Sequence, residues 1–166
     1  MGLSFCSRVS NGRLNTATIA KLCDDPWTVM MLRDHAHDME KMLPGITQLF
    51  NRYISRAIGV TSGRNRVVFH MGRYVVKLPM NYGGVADNDW EGSVRHSQDP
   101  REAKYARTRM VYFGEIPVVF MEYVKSTGYS ELRNLGPVPK WVDGIDCQQV
   151  GFNRRGQLVA YDYGIR

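Results

Sequence analysis

The sequence predicts an α+β fold in which two helices precede an antiparallel sheet that is built from hairpins. Two apolar runs, residues 67–69 and 74–76, flank a short glycine-containing turn, which is the pattern of a β-hairpin. Residues 150–152 and 158–161 flank a second turn of the same kind. Upstream of both hairpins, apolar residues recur every three or four positions, as in amphipathic helices. At 166 residues, the chain is expected to form a single domain, 1–166.

The composition is that of an ordinary globular domain, with 43% hydrophobic and 23% charged residues. No apolar run reaches membrane-spanning length and no signal peptide is recognisable, so no membrane partner is expected. The three cysteines lie far apart without zinc-site spacing, which favours a reducing cytoplasm. The formal net charge of +6 favours an acidic partner, which could be a nucleotide, a nucleic acid or a protein surface.

The N-terminal helical pair is expected over residues 25–58. Asp25 followed by Pro26 is a strong helix start, because Asp caps free amides and Pro fits the first helical position. This helix should run to about Met42, and Pro44 should open a second helix that ends near Ile58. Residues 1–22 lack a strong period. Asn15 or Thr16 could cap a short helix through Leu22, but a surface arm is the preferred interpretation.

The middle of the chain is expected to alternate loops and helices around one buried strand. Residues 59–65 should form a loop, and a helix should begin at Asp87 or Asn88, with acidic residues in its first turn. Residues 101–112 should form another helix, and residues 118–121 are apolar throughout, as in a buried strand.

Two charged residues at the ends of predicted strands are the leading functional candidates. Lys77 directly follows Val75 and Val76, so its ammonium should be partly buried and should need an anion. Asp162 ends the second hairpin and is followed at once by a bend. A carboxylate held there on fixed backbone is suited to bind a hard cation such as Mg²⁺.

These segments together resemble the protein kinase fold. Val75-Val76-Lys77 resembles the strand whose lysine meets ATP phosphates, and Asp162-Tyr163-Gly164 resembles the Asp-Phe-Gly metal motif. Residues 119–124 resemble the strand and hinge that hold adenine. The order of these motifs over residues 61–166, the kinase-like core, is most similar to small kinase-like proteins of tailed bacteriophages, distant relatives of early host-shutoff kinases.

The resemblance implies a kinase-like small lobe, a vestigial catalytic hairpin and a nucleotide site for ATP and Mg²⁺. Lys77 would hold phosphates and would pair with a glutamate, for which Glu91 is the first choice and Glu102 the second. Met121 and Tyr123 would lie at the adenine. Asp162 and Gln149 would hold the metal ion. Because Gly144 stands where the family carries its catalytic base, Asp143 or Asp146 would have to substitute.

The departures from the family favour a pseudokinase. Gly144 offers no base, and the chain ends two residues after Gly164, so a second lobe is not expected. The first hypothesis is therefore a viral protein that binds and modulates a host protein in the host cytoplasm. A minimal ATP- and Mg²⁺-dependent phosphotransferase is the alternative.

A second alternative is a nucleic-acid-binding protein. In that hypothesis Arg101, Lys104 and Arg107 form a basic stripe on the helix expected over residues 101–112, with Arg64 and Arg66 adding to it.

The kinase-like interpretation makes one geometric prediction. Lys77 and Asp162 should face a single cleft although they are far apart in sequence, and a carboxylate of the helix after Lys77 should approach its ammonium. In the competing interpretation, Lys77 blunts an open sheet edge and points to solvent.

Overall fold

The computed structural model describes residues 14, 16–23, 25–94, 99 and 101–162, which form five α-helices and eight strands. The N-terminal helices are α1 (Thr16–Leu22), α2 (Pro26–Met42) and α3 (Ile46–Ile54). Asp25 caps α2 by accepting hydrogen bonds from the amides of Trp27 and Thr28, each at 3.1 Å. The predicted helical pair is therefore confirmed, although its second helix ends at Ile54 and not near Ile58.

The segment before the pair differs from the expected surface arm. Residues 1–13 lie outside the described part, but α1 is a helix, and its Ile19 is fully buried in the first core described below.

A five-stranded antiparallel sheet follows, with strand order β1-β2-β3-β5-β4. Its strands are β1 (Gly59–Ser62), β2 (Arg66–His70), β3 (Tyr74–Pro79), β4 (Thr108–Phe113) and β5 (Ile116–Glu122). The hairpin predicted around residues 67–76 is confirmed as β2–β3. The loop expected at residues 59–65 is wrong, because Gly59–Ser62 pairs along β2 and buries Val60.

The helix expected at residues 101–112 is also wrong. Only a turn forms at the start of this stretch, and Thr108–Phe113 is strand β4. β4 is rich in β-branched and aromatic residues and reaches β5 through a tight turn in which Gly114 has φ 62°. Arg101, Lys104 and Arg107 therefore precede a strand and form no helical stripe.

Helix α4 (Tyr82–Ser93) begins nearly two turns earlier than predicted, at the N-cap Asn81, whose side chain accepts from the Gly84 amide. Asp87 and Asn88, the expected caps, lie in its interior. Gly84 faces β3, where a Cβ atom would meet the Asn65 carbonyl oxygen at 2.3 Å. The glycine lets α4 pack closely against the sheet.

The C-terminal half forms a second, three-stranded antiparallel sheet of order β6-β7-β8. Its strands are β6 (Val124–Ser126), β7 (Val150–Asn153) and β8 (Leu158–Ala160), and helix α5 (Tyr129–Leu135) and two short 3-10 segments connect β6 to β7. The second predicted hairpin is confirmed as β7–β8. Its turn contains Gly156 at φ 74°.

The five-stranded sheet separates two apolar cores, and alternate residues of β5 enter each. Val118 and Phe120 face the core that the sheet shares with α1–α3, where Phe50 and Phe69 meet edge to face at 5.3 Å. Val119 and Met121 face the core between this sheet and the β7–β8 hairpin. The hairpin is tied to the segment before β4 by two hydrogen bonds of Ala160, at 2.8 and 2.7 Å. The architecture is thus α+β, as predicted.

Candidate functional site

Lys77 and Glu91 form a buried ion pair between β3 and α4. Nζ of Lys77 lies 3.0 Å from Oε1 and 2.9 Å from Oε2 of Glu91. The side chains are 4% and 0% exposed, respectively. Glu91 rather than Glu102 is therefore the partner of Lys77, since Glu102 lies exposed in the turn that follows Asp99.

Asp162 faces the same cleft from the C-terminal hairpin. Its Oδ1 lies 3.7 Å from Lys77 Nζ, and Lys77 also donates to the Tyr161 carbonyl at 2.7 Å. The side chain of Asp162 is 42% exposed, so the cleft opens to solvent on this side. The prediction that Lys77 and Asp162 share one cleft is confirmed, and the alternative of a solvent-directed Lys77 is wrong.

The sequence analysis did not place Arg66 or Asp87 in this cluster: Arg66 was considered only as a possible addition to the basic stripe, and Asp87 only as a helix cap. The Arg66 guanidinium lies 2.9 Å from Glu91 Oε1 and also forms an ion pair with Asp162. A further contact joins Arg66 to Asp87 at 3.9 Å. The strand pairing explains why Arg66 lies near Lys77. Val68 pairs directly with Lys77, and Arg66 lies two residues before Val68 on β2, so Arg66 and Val68 share one face of the sheet.

The resulting charge cluster comprises two cations and three carboxylates, namely Arg66, Lys77, Asp87, Glu91 and Asp162. Burial lowers the pKa of the Lys77 ammonium below its usual range, against the opposing attraction of Glu91 and Asp162. Burial also disfavours the charge of Arg66, but Glu91 and Asp162 outweigh it and raise the pKa of the guanidinium. Arg66 is therefore the permanent cation of the cluster.

Asn88 fixes α4 over this cluster. Its side-chain amide donates to the backbone carbonyls of Lys77 at 3.1 Å and Pro117 at 2.8 Å, which belong to β3 and β5. Its carbonyl oxygen accepts from Arg66 at 3.3 Å. Asn88 is fully buried, so these bonds set the depth and the rotation of the helix that carries Glu91.

Gln149 lies immediately before β7, and its carbonyl accepts at 3.1 Å from the amide of Tyr161, the residue before Asp162. Its side-chain Oε1 is the one buried side-chain oxygen or nitrogen in the described part of the chain that lacks a hydrogen-bond partner. An amide oxygen next to a carboxylate is a donor set that Mg²⁺ accepts.

The arrangement around Asp162 nevertheless does not fit a divalent cation. Arg66 and Lys77 both approach Oδ1 of Asp162, so two positive groups surround that oxygen and disfavour a metal ion there. Within the described residues, no group of three or more His, Cys, Asp or Glu side chains is placed to hold a metal ion. Coordination through Oδ1 would require both cations to move away from that oxygen.

Asp143, the candidate base whose side chain is described, makes no observed contact with the cluster. Asp143 is exposed in the 3-10 segment Lys140–Gly144 and accepts a hydrogen bond from the Tyr129 hydroxyl at 3.3 Å. The side chain of Asp146 lies outside the described part. Its neighbours Cys147 and Gln148 both adopt positive φ, at 49° and 51°, so the chain turns sharply before Gln149.

The residues expected at the adenine occupy two different environments. Met121 is buried in the second core, whose members include Val75, Val150 and Val159. Tyr123 is 37% exposed, and its backbone amide donates to the Arg73 carbonyl at 3.1 Å. Met121 is therefore part of an apolar core, and the amide of Tyr123 is already engaged.

The basic residues expected on one helix are dispersed. Arg101 pairs with Asp99 at 2.7 Å, and Lys104 donates to the Asp99 carbonyl, whereas Arg107 is exposed beside the first residue of β4. Arg64 lies in the β1–β2 turn.

No protein-family model matches the chain, and neither the curated proteins nor the solved structures contain a match. The helices within the described residues are too short or too polar to cross a membrane.

Proposed function

We propose that this chain is a kinase-like protein that does not transfer phosphoryl groups and acts by binding a host protein in the cytoplasm of a phage-infected cell. The order of the motifs supports the kinase-like part of this proposal. The placement of Lys77, Glu91 and Asp162 in one cleft supports it further, because these three residues match the family's motifs.

The proposed loss of catalysis is based on two ion pairs of Arg66, one with Glu91 and one with Asp162. In a working site of this class, the lysine faces phosphates and the aspartate faces a metal ion. Here both groups are neutralised within the protein. Binding of a metal–nucleotide complex at Asp162 would have to displace the buried guanidinium of Arg66 from that carboxylate, although Arg66 would keep Glu91 and Asp87 as partners.

Two further features support the same conclusion. Met121, which the resemblance places at the adenine, is packed among the apolar side chains of the second core. Asp143, the described candidate base, is exposed and bonded to Tyr129. A domain with these features retains a rigid scaffold and presents its surface to a partner.

Titration calorimetry with ATP tests the catalytic half of the proposal. Wild type, Arg66→Gln and Asp162→Asn are each titrated with and without MgCl₂, after circular dichroism has established that each variant is folded. We expect no saturable binding to wild type at about 1 mM ATP, a concentration that detects even weak sites. Mg²⁺-dependent binding that Asp162→Asn abolishes would overturn the proposal.

That outcome would favour the minimal phosphotransferase, for which the unpartnered Gln149 Oε1 is the supporting observation. Transfer of labelled phosphate from ATP would then be measured. Comparison with Asp143→Asn would test whether Asp143 acts as the catalytic base.

Reconstitution from purified components tests the binding half. A bacterial protein that copurifies with the tagged chain is expressed separately and mixed with it. We expect a stoichiometric complex in size-exclusion chromatography that forms equally well without nucleotide. Failure of every copurifying protein to re-form a complex would contradict a binding function.

A further inference from the structure

Four exposed arginines gather at one end of the five-stranded sheet, where the β2–β3 turn, the start of β4 and the β7–β8 turn meet. We call them the arginine rim: Arg73, Arg107, Arg154 and Arg155. The Arg73 carbonyl accepts from the Tyr123 amide at 3.1 Å, and the Arg107 carbonyl accepts from the Glu122 amide at 2.9 Å. Two adjacent residues at the end of β5 therefore connect the first two arginines.

Asn153 connects Arg154 and Arg155 to the same end of β5. Its side-chain amide donates to Glu122 Oε1 at 3.4 Å, and its carbonyl oxygen accepts from the Arg155 amide at 3.0 Å. Asn153 is buried and pairs with Val124, the residue after Tyr123. The backbone positions of all four rim arginines are thus fixed around residues 122–124.

The charge of the rim is not compensated within the described part of the chain. None of its four guanidinium groups lies within 4.0 Å of a carboxylate there, whereas Arg66 and Arg101 are both ion-paired. Glu122, the acidic residue of this region, accepts hydrogen bonds from the Arg107 amide and from Asn153. The rim therefore concentrates part of the +6 net charge at one end of the sheet.

Two partly exposed aromatic rings accompany the arginines. Tyr123 is 37% exposed and stands opposite Arg73 across the strands, which places the two Cβ atoms about 5 Å apart. Tyr74, next to Arg73, is 40% exposed, and its ring centroid lies 6.3 Å from that of Phe120. Both rings are held by the sheet and still present surface to solvent.

We propose that the arginine rim and its two tyrosines bind single-stranded nucleic acid. Guanidinium groups bind phosphates, and a base released from a duplex stacks on an aromatic ring without regard to its identity. The half-exposed rings near the arginines favour this ligand over an acidic polypeptide, which offers charge but few planar groups to stack. Only Arg107 is shared with the basic stripe predicted from the sequence.

This proposal does not rest on the proposed function, because the rim uses no residue of the charge cluster. Fluorescence anisotropy with labelled oligo(dT) and oligo(rU) of about 16 nucleotides tests it, over roughly 50 to 200 mM salt. We expect Arg73→Gln/Arg154→Gln/Arg155→Gln to bind at least about tenfold more weakly. Its log–log salt slope should fall by about 2, as loss of three single-strand phosphate contacts predicts.

The matched control is Lys21→Gln/Lys41→Gln/Arg64→Gln, which removes the same charge from exposed positions on α1, α2 and the β1–β2 turn. It should bind within about twofold of wild type if local charge decides affinity. Equal weakening by the two triple variants would reduce the binding to a general effect of net charge and overturn the proposal.

Stacking is tested separately with Tyr123→Leu, which we expect to weaken binding about fivefold or more. Tyr112→Leu, at an exposed tyrosine on β4, should bind like wild type. Three results would refute the proposal: no binding at the lowest salt, a duplex that binds as tightly as the single strands, or polyglutamate that competes as well as an unlabelled oligonucleotide.

Discussion

Lys77 on β3 and Glu91 on α4 form a bidentate ion pair, with both carboxylate oxygens within 3.0 Å of one ammonium group. The pair is almost fully buried, so neither charge recovers solvation from water. Arg66 and Asp162 extend the pair into a cluster that joins the sheet, α4 and the C-terminal hairpin. The stability of the protein should therefore depend strongly on each charge.

Removal of one member of the pair should destabilise the protein unequally. Glu91→Leu leaves both buried cations without their shared anion, and we expect it to lower the free energy of unfolding by about 3 to 5 kcal/mol. Lys77→Met should cost less, because Arg66 still neutralises Glu91. Urea denaturation of both variants measures the difference.

The double variant Lys77→Met/Glu91→Leu completes a thermodynamic cycle. We expect a coupling energy above about 1 kcal/mol, since the two residues are in direct contact. Arg101→Gln removes one member of an exposed pair with Asp99 and should leave stability unchanged. Additive effects of Lys77→Met and Glu91→Leu would show that the pair is not energetically coupled.

Glu40 should stabilise the corner between α2 and α3. Its carboxylate accepts from the amides of Gly45 at 2.7 Å and Thr47 at 2.9 Å, which are free donors at the start of α3. Glu40→Ala should cost about 1 kcal/mol at pH 7, as loss of a helix cap does. Thermal unfolding provides the measurement.

The contribution of Glu40 should also depend on pH. Partial burial opposes its charge, but the two backbone amides prevail and lower the pKa of the carboxyl below its ordinary 4.5. The stabilisation is therefore complete above pH 4.5 and is lost as the pH falls through the lower folded-state pKa. A stability gap between wild type and Glu40→Ala that stayed constant down to pH 2 would contradict this assignment.

His70 should make the protein less stable in mild acid. Burial on β2 lowers its pKa from 6.5, so the unfolded chain binds the proton more readily. The free energy of unfolding should therefore decrease as the pH falls from 6.5 through the folded-state pKa. His70→Asn should flatten this part of the profile, and a profile that this substitution leaves unchanged would contradict the assignment.

Gly151 should be required for pairing of β6 with β7. A Cβ atom at this position would lie 2.2 Å from the Lys125 carbonyl oxygen, which belongs to the neighbouring strand. Gly151→Ala should thus cost about 1 to 3 kcal/mol through forced displacement of the backbone. Gly144→Ala is the control, because a Cβ there meets nothing within 4 Å; similar losses in the two variants would rule out the steric explanation.

The sequence predicted those elements whose signals are local. Both hairpins were found because each has two apolar runs around a turn, and Gly72 and Gly156 take positive φ in those turns. Asp25 followed by Pro26 identified the start of α2 for the same reason. In each case, the residues that specify the structure are within a few positions of one another.

The wrong elements depend on partners that are distant in sequence. Ala103, Ala106 and Met110 have helical spacing, but pairing of Thr108–Phe113 with β5 overrides it. Gly83 and Gly84 made the start of α4 look like a loop, although Gly84 is needed for close approach to Asn65. The role of Arg66 required the register between β2 and β3, which hydrophobic pattern alone does not provide.

Asn88 limits how the charge cluster can open. Outward rotation of α4 would break its bonds to the carbonyls of Lys77 and Pro117 and leave three buried polar groups unsatisfied. Helix α4 therefore cannot move away from the sheet without breaking these hydrogen bonds. Asp162, 42% exposed and followed by the last residues of the chain, forms the side of the cluster that solvent reaches. A ligand or partner that regulates this protein through the cluster would have to act from the C-terminal hairpin.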